Sequence, residues 1–450
     1  MATRIEFHKH GGPEVLQAVE FTPADPAENE IQVENKAIGI NFIDTYIRSG
    51  LYPPPSLPSG LGTEAAGIVS KVGSGVKHIK AGDRVVYAQS ALGAYSSVHN
   101  INADKAAILP AAISFEQAAA SFLKGLTVYY LLRKTYEIKP DEQFLFHAAA
   151  GGVGLIACQW AKALGAKLIG TVGTAQKAQS ALKAGAWQVI NYREENLVER
   201  LKEITGGKKV RVVYDSVGRD TWERSLDCLQ RRGLMVSFGN SSGAVTGVNL
   251  GILNQKGSLY VTRPSLQGYI TTREKLTEAS NELFSLIASG VIKVDVAEQQ
   301  SAEHQRADDD YRRDDFRRAP EVAQRAQPER EQKRHQRNQH DVPIYVGVHS
   351  HDEKRFQLAH DEQAFHRDEQ REHGYDYARG DFAECVLENV VHRLVGVATR
   401  EQQHEREVNK LEGYPGEHHD IAVLAHHPKH QRRQHEHFDG ERYQKLYDDE

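Results

Sequence analysis

Apolar and polar residues alternate from Ile31 to Ile40, "IQVENKAIGI", with the two-residue period of a strand that buries one face. "GIVSKVGSGV" and "GDRVVYA" follow the same pattern and read as two strands joined by a glycine turn, so the front of the chain is β-rich. From Phe115 the period lengthens. "FEQAAASFLKGLTVYYLLRKTY" is helical, and strand-like and helix-like runs then alternate: "QFLFHAA", "GLIACQWAKALG", "KLIGTVG", "AQKAQSALKAG", "WQVINY", "NLVERLKEIT", "VRVVYDSVG", "TWERSLDCL" and "GLMVSFG". Alternation of this kind calls for a parallel sheet with helices on both faces, an α/β fold. "GSLYVTRPSL" and the helical "REKLTEASNELFSLIASG" lead on toward Val294.

Near Gln300 the texture changes. "SAEHQRADDDYRRDDFRRAPEVAQRAQPEREQKRHQRNQH" is nearly all charge and amide, and residues 301–450 read as a disordered or non-native tail that buries too little apolar surface to offset its ordering entropy. Two islands interrupt it, a strand-like "VPIYVGV" and "FAECVLENVVHRLVGV", apolar at helix-like intervals. Most of the chain's 22 histidines lie in this tail, without a repeated ligand spacing, so no metal site is predicted. A frameshift followed by translation of unselected codons accounts for the change of texture; a genuine fused extension is the competing reading.

The 450 residues suffice for two or three domains, and a formal charge of -5 gives no global pull toward nucleic acid or an anionic membrane. Small-molecule chemistry is the default. Cys158, Cys228 and Cys385 are too widely spaced for a disulfide framework or a zinc cluster, which points to a reducing compartment. The start is charged rather than apolar, and no run is long enough to span a bilayer, so a soluble cytoplasmic protein is expected.

The sharpest local signal is Phe144 to Lys162, "FLFHAAAGGVGLIACQWAK", an apolar strand, a small-residue turn and an amphipathic helix. Ala149, Gly151 and Gly154 occupy the positions of a G-x-G-x-x-G dinucleotide fingerprint. Gly151 lets the backbone approach a pyrophosphate, Gly154 lets helix and strand pack closely, and the helix N-terminus offers unpaired N–H groups. Small residues also serve tight strand-to-helix packing, but here strand, turn, helix and next strand occur in order. At the end of that next strand, "GTVGTAQKAQ" has no acidic residue for a ribose 2'-hydroxyl. Gly173 leaves room, and Lys177, one turn into the following helix, can place an ammonium near a 2'-phosphate; the alternative is an exposed lysine on a solvated helix.

"DEQFLFHAAAGGVGLIACQWAK", with "NFIDTYIRSGLYP", "GTEAAGIV", "GDRVVY" and "LKGLTVYYLL", resembles the quinone oxidoreductases and zeta-crystallin, a zinc-free branch of the medium-chain dehydrogenase/reductase superfamily. The resemblance covers Met1 to about Gln300. It implies a GroES-like catalytic domain over 1–124, a Rossmann doubly wound domain over 125–260 and a return segment over 261–300 whose usual closing segment is missing, which leaves an unpaired sheet edge expected in the front domain. It also implies NADPH as cofactor, bound by Asn41, Phe42, Ile43, Asp44, Thr45, Tyr46, Tyr130, Gly151, Gly152, Val153, Gly173, Thr174, Lys177, Tyr192, Val217, Ser241 and Leu266. Tyr46 and Tyr52 would line the acceptor site and hydrogen-bond a developing quinol oxygen, although either ring can equally pack the cleft wall. Val217 and Leu266 can equally be core, and Cys158 is most simply core. Zinc members carry Cys and His where this chain has Asn41 or its neighbour and Thr63, and a four-cysteine lobe is absent, so zinc is not expected.

The implied activity is hydride delivery from NADPH to a quinone by a homodimer. An alkenal or enone reductase of the same superfamily is a second reading, and a crystallin-like or RNA-binding protein a third. Against the third, acidic residues interrupt the basic clusters throughout, including "RRDDFRR".

Overall fold

Two short strands precede the alternating run, β1 (Ala2–Phe7) and β2 (Leu16–Phe21), paired antiparallel. The run itself is β3 (Glu30–Gly39), followed by α1 (Phe42–Ser49), β4 (Ser59–Gly60), β5 (Glu64–Val72), β6 (Arg84–Ala88), β7 (Val98–Asn102) and β8 (Ala106–Ile108). β3 pairs antiparallel with β5 and β7, and β5 and β6 form the expected pair. Ile31, Val33 and Ile38 of β3 are fully buried with Val69, Val85 and Tyr87, but the strand is not half-exposed as its alternation suggests: Gln32, Asn35 and Ala37 are buried too, and the register shifts between Asn35 and Ala37.

The computed structural model describes residues 1–296 and the backbone of two further strands, Glu298–Gln300 and Ile344–Gly347. The second half of the described chain opens with α2 (Phe115–Tyr129), which starts at a reciprocal cap: Ser114 Oγ accepts from the Gln117 N–H and Gln117 Oε1 from the Ser114 N–H, both at 3.1 Å. A π-helical turn, Tyr130–Thr135, continues it. Then come β9 (Gln143–Phe146), α3 (Gly152–Ala163), β10 (Lys167–Val172), α4 (Ala175–Lys183), β11 (Gln188–Asn191), α5 (Leu197–Ile204) and β12 (Val210–Asp215). α6 (Trp222–Asp227), β13 (Leu229–Ser237), α7 (Gly251–Gln255), β14 (Tyr260–Thr262) and α8 (Arg273–Ala288) complete the series. The strands form one parallel sheet in the order β11-β10-β9-β12-β13-β14. The chain moves outward from β9 in one direction and returns to continue in the other, which opens a crevice at the carboxyl ends of the central strands.

The boundary assigned between residues 124 and 125 falls inside α2, and this helix is shared. Its Phe122 and Leu126 lie in one buried cluster with Ala37, Ala66 and Val86 of the front sheet and Phe144 and Ala157 of the parallel unit. The return helix α8 docks on it: a Cβ at Gly125 would lie 2.5 Å from Leu283 Cδ1, and the Phe122 and Phe284 rings stack at 5.7 Å. Gly125 is thus the position that permits this close approach.

Where an unpaired edge is expected, the backbone of β15 (Glu298–Gln300) and β16 (Ile344–Gly347) extends the front sheet. β16 runs parallel to Ala37–Gly39 of β3, so a segment of the polar tail occupies that edge. "VPIYVGV" does contain a strand; "FAECVLENVVHRLVGV" lies outside the described residues. Among the described residues, no helix is long and apolar enough to cross a membrane.

Candidate active site

The loops and helix starts that follow the six parallel strands hold half of the site residues singled out in the sequence. Gly151, Gly152 and Val153 follow β9, Gly173 and Thr174 follow β10, Tyr192 follows β11, Val217 follows β12, Ser241 follows β13 and Leu266 follows β14. At the first loop, Ala148 adopts a left-handed conformation (φ 54°), the Gly151 N–H donates back to its carbonyl at 2.9 Å, and Gly151 caps α3 in an extended conformation. A Cβ on Gly154 would lie 2.4 Å from Ala148 O and 2.6 Å from Ala149 C, so this position admits hydrogen alone. Alanine at the first fingerprint position is accommodated from across the sheet, because the Ala149 methyl fills the space a side chain on Gly170 would need. The resulting helix N-terminus, without an acidic residue in its first turn, suits a pyrophosphate.

Beneath the turn lies a buried polar network that sequence reasoning missed. His147 Nδ1 meets Thr171 Oγ1 at 3.0 Å and its Nε2 meets Ser225 Oγ at 2.9 Å; Ser225 and Thr221 each donate to Asp215 Oδ2 at 2.7 Å. Asp215 Oδ1 accepts from the N–H groups of Val217 and Gly218 at 2.7 and 3.0 Å. Burial alone would raise the Asp215 carboxyl, but the His147 ring and these hydrogen bonds outweigh it and hold it below the usual value. The network ties the ends of β9, β10 and β12 together.

At the end of β10, Thr174 caps α4 by accepting from the Lys177 N–H at 3.2 Å, and α4 has no acidic residue in its first turn. A Cβ on Gly173 would lie 2.7 Å from Tyr192 Oη and 3.5 Å from Arg193 Nε. Gly173 is therefore packed under Tyr192, with the Arg193 guanidinium as a second cation close to Gly173; "NYREEN" shows Arg193 next to Tyr192, a signal that was available. An anion fits this corner better than a ribose hydroxyl does.

The other end is built on α1. Its cap is Asn41, whose N–H donates to Asp44 Oδ2 at 2.9 Å while its Nδ2 donates to Glu64 Oε2 at 2.6 Å. Lys124 lies 3.8 Å from the same Glu64 oxygen and donates to Ile40 O at 3.2 Å. Burial pushes the Asp44 carboxyl up to about 7, against the pull of the Asn41 N–H and the Tyr95 hydroxyl, and also raises Glu64 despite Lys124. Ile43 packs against both large cores, and Thr45 donates to Phe42 O.

Tyr46 and Tyr52 project from this region to the parallel unit. Their rings meet edge-on at 5.3 Å, with Phe42 edge-on to Tyr46 at 5.4 Å. Tyr46 Oη accepts from the Asn240 N–H at 2.9 Å, and burial pushes its phenol up to about 12, so it stays protonated. Tyr52 Oη accepts from Asn240 Nδ2 at 2.8 Å and Arg263 Nη2 at 3.0 Å. Asn240 and Arg263 were not anticipated. Tyr130 is buried and stacks on Tyr269 at 4.9 Å, Val217 and Leu266 are buried, and Ser241 is exposed beside Ser216, to whose carbonyl its N–H donates. Cys158 is buried in the core, as expected.

A front β unit and a doubly wound sheet that share a helix, with a glycine turn on the central strand, define a dinucleotide-binding dehydrogenase or reductase. Residues 27–113 match the model of the alcohol dehydrogenase GroES-like domain and residues 152–289 that of the zinc-binding dehydrogenases. Quinone oxidoreductase 1 of Escherichia coli is 99% identical over 300 residues, 67% of this chain and 92% of that protein. A 2-haloacrylate reductase of Burkholderia sp is 41% identical over 66% of this chain and 91% of its own. The crystal structure of Escherichia coli quinone oxidoreductase complexed with NADPH superposes with a TM-score of 0.65, covering 66% of this chain and 90% of that one. The chain belongs to the quinone oxidoreductase family of the medium-chain dehydrogenase/reductase superfamily.

The second family model's description invites a test for zinc. Among the described residues, no group of three or more His, Cys, Asp or Glu can hold a metal ion. The cluster around Asn41, Thr63 and Glu64 offers an amide, a hydroxyl and a carboxylate already engaged by Asn41, Leu123 and Lys124, a donor set that does not fit zinc.

Proposed function

We propose that this chain is a zinc-independent, NADPH-dependent quinone reductase. The observation that carries the cofactor assignment is the acid-free corner after β10, where Gly173 lies under Tyr192 and Arg193 while Lys177 sits one turn into α4. Gly151, Gly152 and Val153 hold the pyrophosphate on the α3 N-terminus, and Thr174, Lys177, Tyr192 and Arg193 hold the 2'-phosphate. Asn41 to Tyr46, Tyr130, Val217, Ser241 and Leu266 line the path to the nicotinamide. When bound, NADPH supplies the hydride. Tyr46 and Tyr52 orient a planar acceptor and hydrogen-bond the oxygen on which charge develops.

The 2-haloacrylate reductase relative favours a second reading, reduction of an activated alkene. NADPH oxidation with 1,4-benzoquinone and with 2-cyclohexenone, each with and without a chelator, separates these readings. Quinone turnover insensitive to chelation is expected; turnover with the enone alone, or chelator-sensitive turnover, overturns the first. Salt-dependent RNA binding without NADPH turnover would instead favour the binding-protein reading.

We place the catalytic domain at 1–124, the nucleotide domain at 125–260 and the return segment at 261–300. A homodimer is supported by β14, an edge strand with Tyr260 60% exposed, and by Leu250, which is 74% exposed. The buried free thiols of Cys158 and Cys228 accord with a cytoplasmic location. For residues 301–450 we favour a frameshift, supported by a 99% identity confined to 300 residues. If no single inserted or deleted base near the Gln300 codon restores an apolar ending, the extension is genuine.

A further inference from the structure

Tyr52 Oη is approached by two groups that can only donate, Asn240 Nδ2 at 2.8 Å and Arg263 Nη2 at 3.0 Å. A phenolic oxygen has two acceptor lone pairs and one proton, and a guanidinium has no acceptor. With both lone pairs occupied, the hydroxyl proton must point away from both donors. Arg263 cannot swing aside freely, because its Nη1 also donates to Ser237 Oγ and Gly239 O, both at 2.9 Å. Tyr52 is held at its other end by its N–H bond to Tyr46 O at 3.0 Å, yet the residue remains 38% exposed.

We infer that Asn240 and Arg263 are positioning residues that aim the Tyr52 O–H at the carbonyl oxygen of the acceptor. This inference rests on the reading of Tyr52 as part of the acceptor site. The Arg263 charge, acting through the Tyr52 oxygen, strengthens that hydrogen bond as negative charge builds on the acceptor, and the fixed guanidinium needs no rearrangement to do so. Tyr46 has a further part beside its own contact to the acceptor: its oxygen takes the backbone N–H of Asn240 and so braces the loop whose side chain orients Tyr52.

A double-mutant cycle with Tyr52→Phe, Asn240→Ala and Arg263→Gln tests the inference, with Arg263→Lys as the charge-retaining variant. Asn240→Ala removes the side-chain donor and leaves the N–H bond to Tyr46. Tyr52→Phe should lower kcat about tenfold, less than the loss of a fully enclosed oxyanion donor because the site is partly open. Asn240→Ala and Arg263→Gln should each lower kcat about fivefold with Tyr52 present and less than about twofold when combined with Tyr52→Phe. Arg263→Lys should recover part of the loss. NADPH affinity, read by cofactor fluorescence, and the thermal midpoint should change little in all four.

Equal losses with and without the Tyr52 hydroxyl overturn the inference, as does a loss that appears in NADPH affinity instead of kcat. The cycle is run on both 1,4-benzoquinone and 2-cyclohexenone. Wild-type turnover of the enone alone overturns the quinone reading, while the cycle on the enone still decides the positioning role. Absence of turnover with either acceptor overturns both.

Discussion

Substitution of Lys177 by alanine removes an ammonium while keeping the local cap, since the Lys177 N–H bond to Thr174 Oγ1 involves only the backbone of Lys177. The side chain is half-buried, between the limits of bulk water and a protein interior. Two unit charges about 4 Å apart attract by ~1 kcal/mol in water and ~4 kcal/mol at an effective dielectric constant of 20. A charge-assisted contact to a 2'-phosphate at such a position is worth about 1.5–3 kcal/mol. The Kd for NADPH should therefore rise about 10- to 150-fold. Arg193 sets the lower end of that range, because it remains beside Gly173 in the single variant. NADH has no 2'-phosphate, so its Kd should change less than about twofold, within the range for a neutral surface substitution. Titration of both cofactors by nicotinamide fluorescence at low and high salt checks this. The wild-type preference for NADPH should shrink with salt more steeply than that of the variant. An unchanged NADPH-to-NADH ratio in Lys177→Ala would refute the assignment, and an unchanged ratio in the Lys177→Ala/Arg193→Ala double variant would remove this corner from nucleotide recognition.

Asp44 makes stability depend on pH in the neutral range. Its folded carboxyl titrates at about 7 and its unfolded one near 3.8, so between these values the folded state binds more protons and stability falls as pH rises. The gap corresponds to about 4 kcal/mol, which Asp44→Asn should not show; parallel denaturant-melting curves for the two proteins from pH 4 to 7 would count against it. Asp215 has the opposite sign: its lowered folded value gives stability that is present above the ordinary carboxylate range and lost as pH falls through the folded value. Asp215→Asn should destabilise the fold near neutrality and converge with wild type in acid, a comparison chemical denaturation can make. Gly154→Ala, with its methyl 2.4 Å from Ala148 O, should destabilise by about 1–3 kcal/mol and weaken NADPH binding; unchanged fluorescence titration would show that the turn can yield.

The nucleotide half was legible because each signal is local. The turn from Ala149 to Gly154, the absent acid after β10 and the lysine one turn later lie within thirty or so residues, as the strand-turn-helix unit requires. The acceptor end was legible only in part. Tyr46 and Tyr52 stand out beside α1, but their partners Asn240 and Arg263 are 194 and 211 residues away in the chain, joined only by folding. The His147–Asp215 network was hidden for the same reason, His147, Thr171 and Asp215 coming from three different strands or their ends and Ser225 from α6. Glu64 and Lys124 were not singled out, because sequence alone cannot show that two charges are buried against each other.

The order of the loops along the parallel sheet also bears on how the chain tolerates error. From the end of β9 at Phe146 to Leu266, the loops at the carboxyl ends of the six parallel strands lie in one uninterrupted stretch of text. A reading-frame change near Gln300 alters every later codon and leaves each letter of that stretch as it was. What such an event would endanger is the front sheet, which takes β16, from beyond Gln300, at the edge of β3.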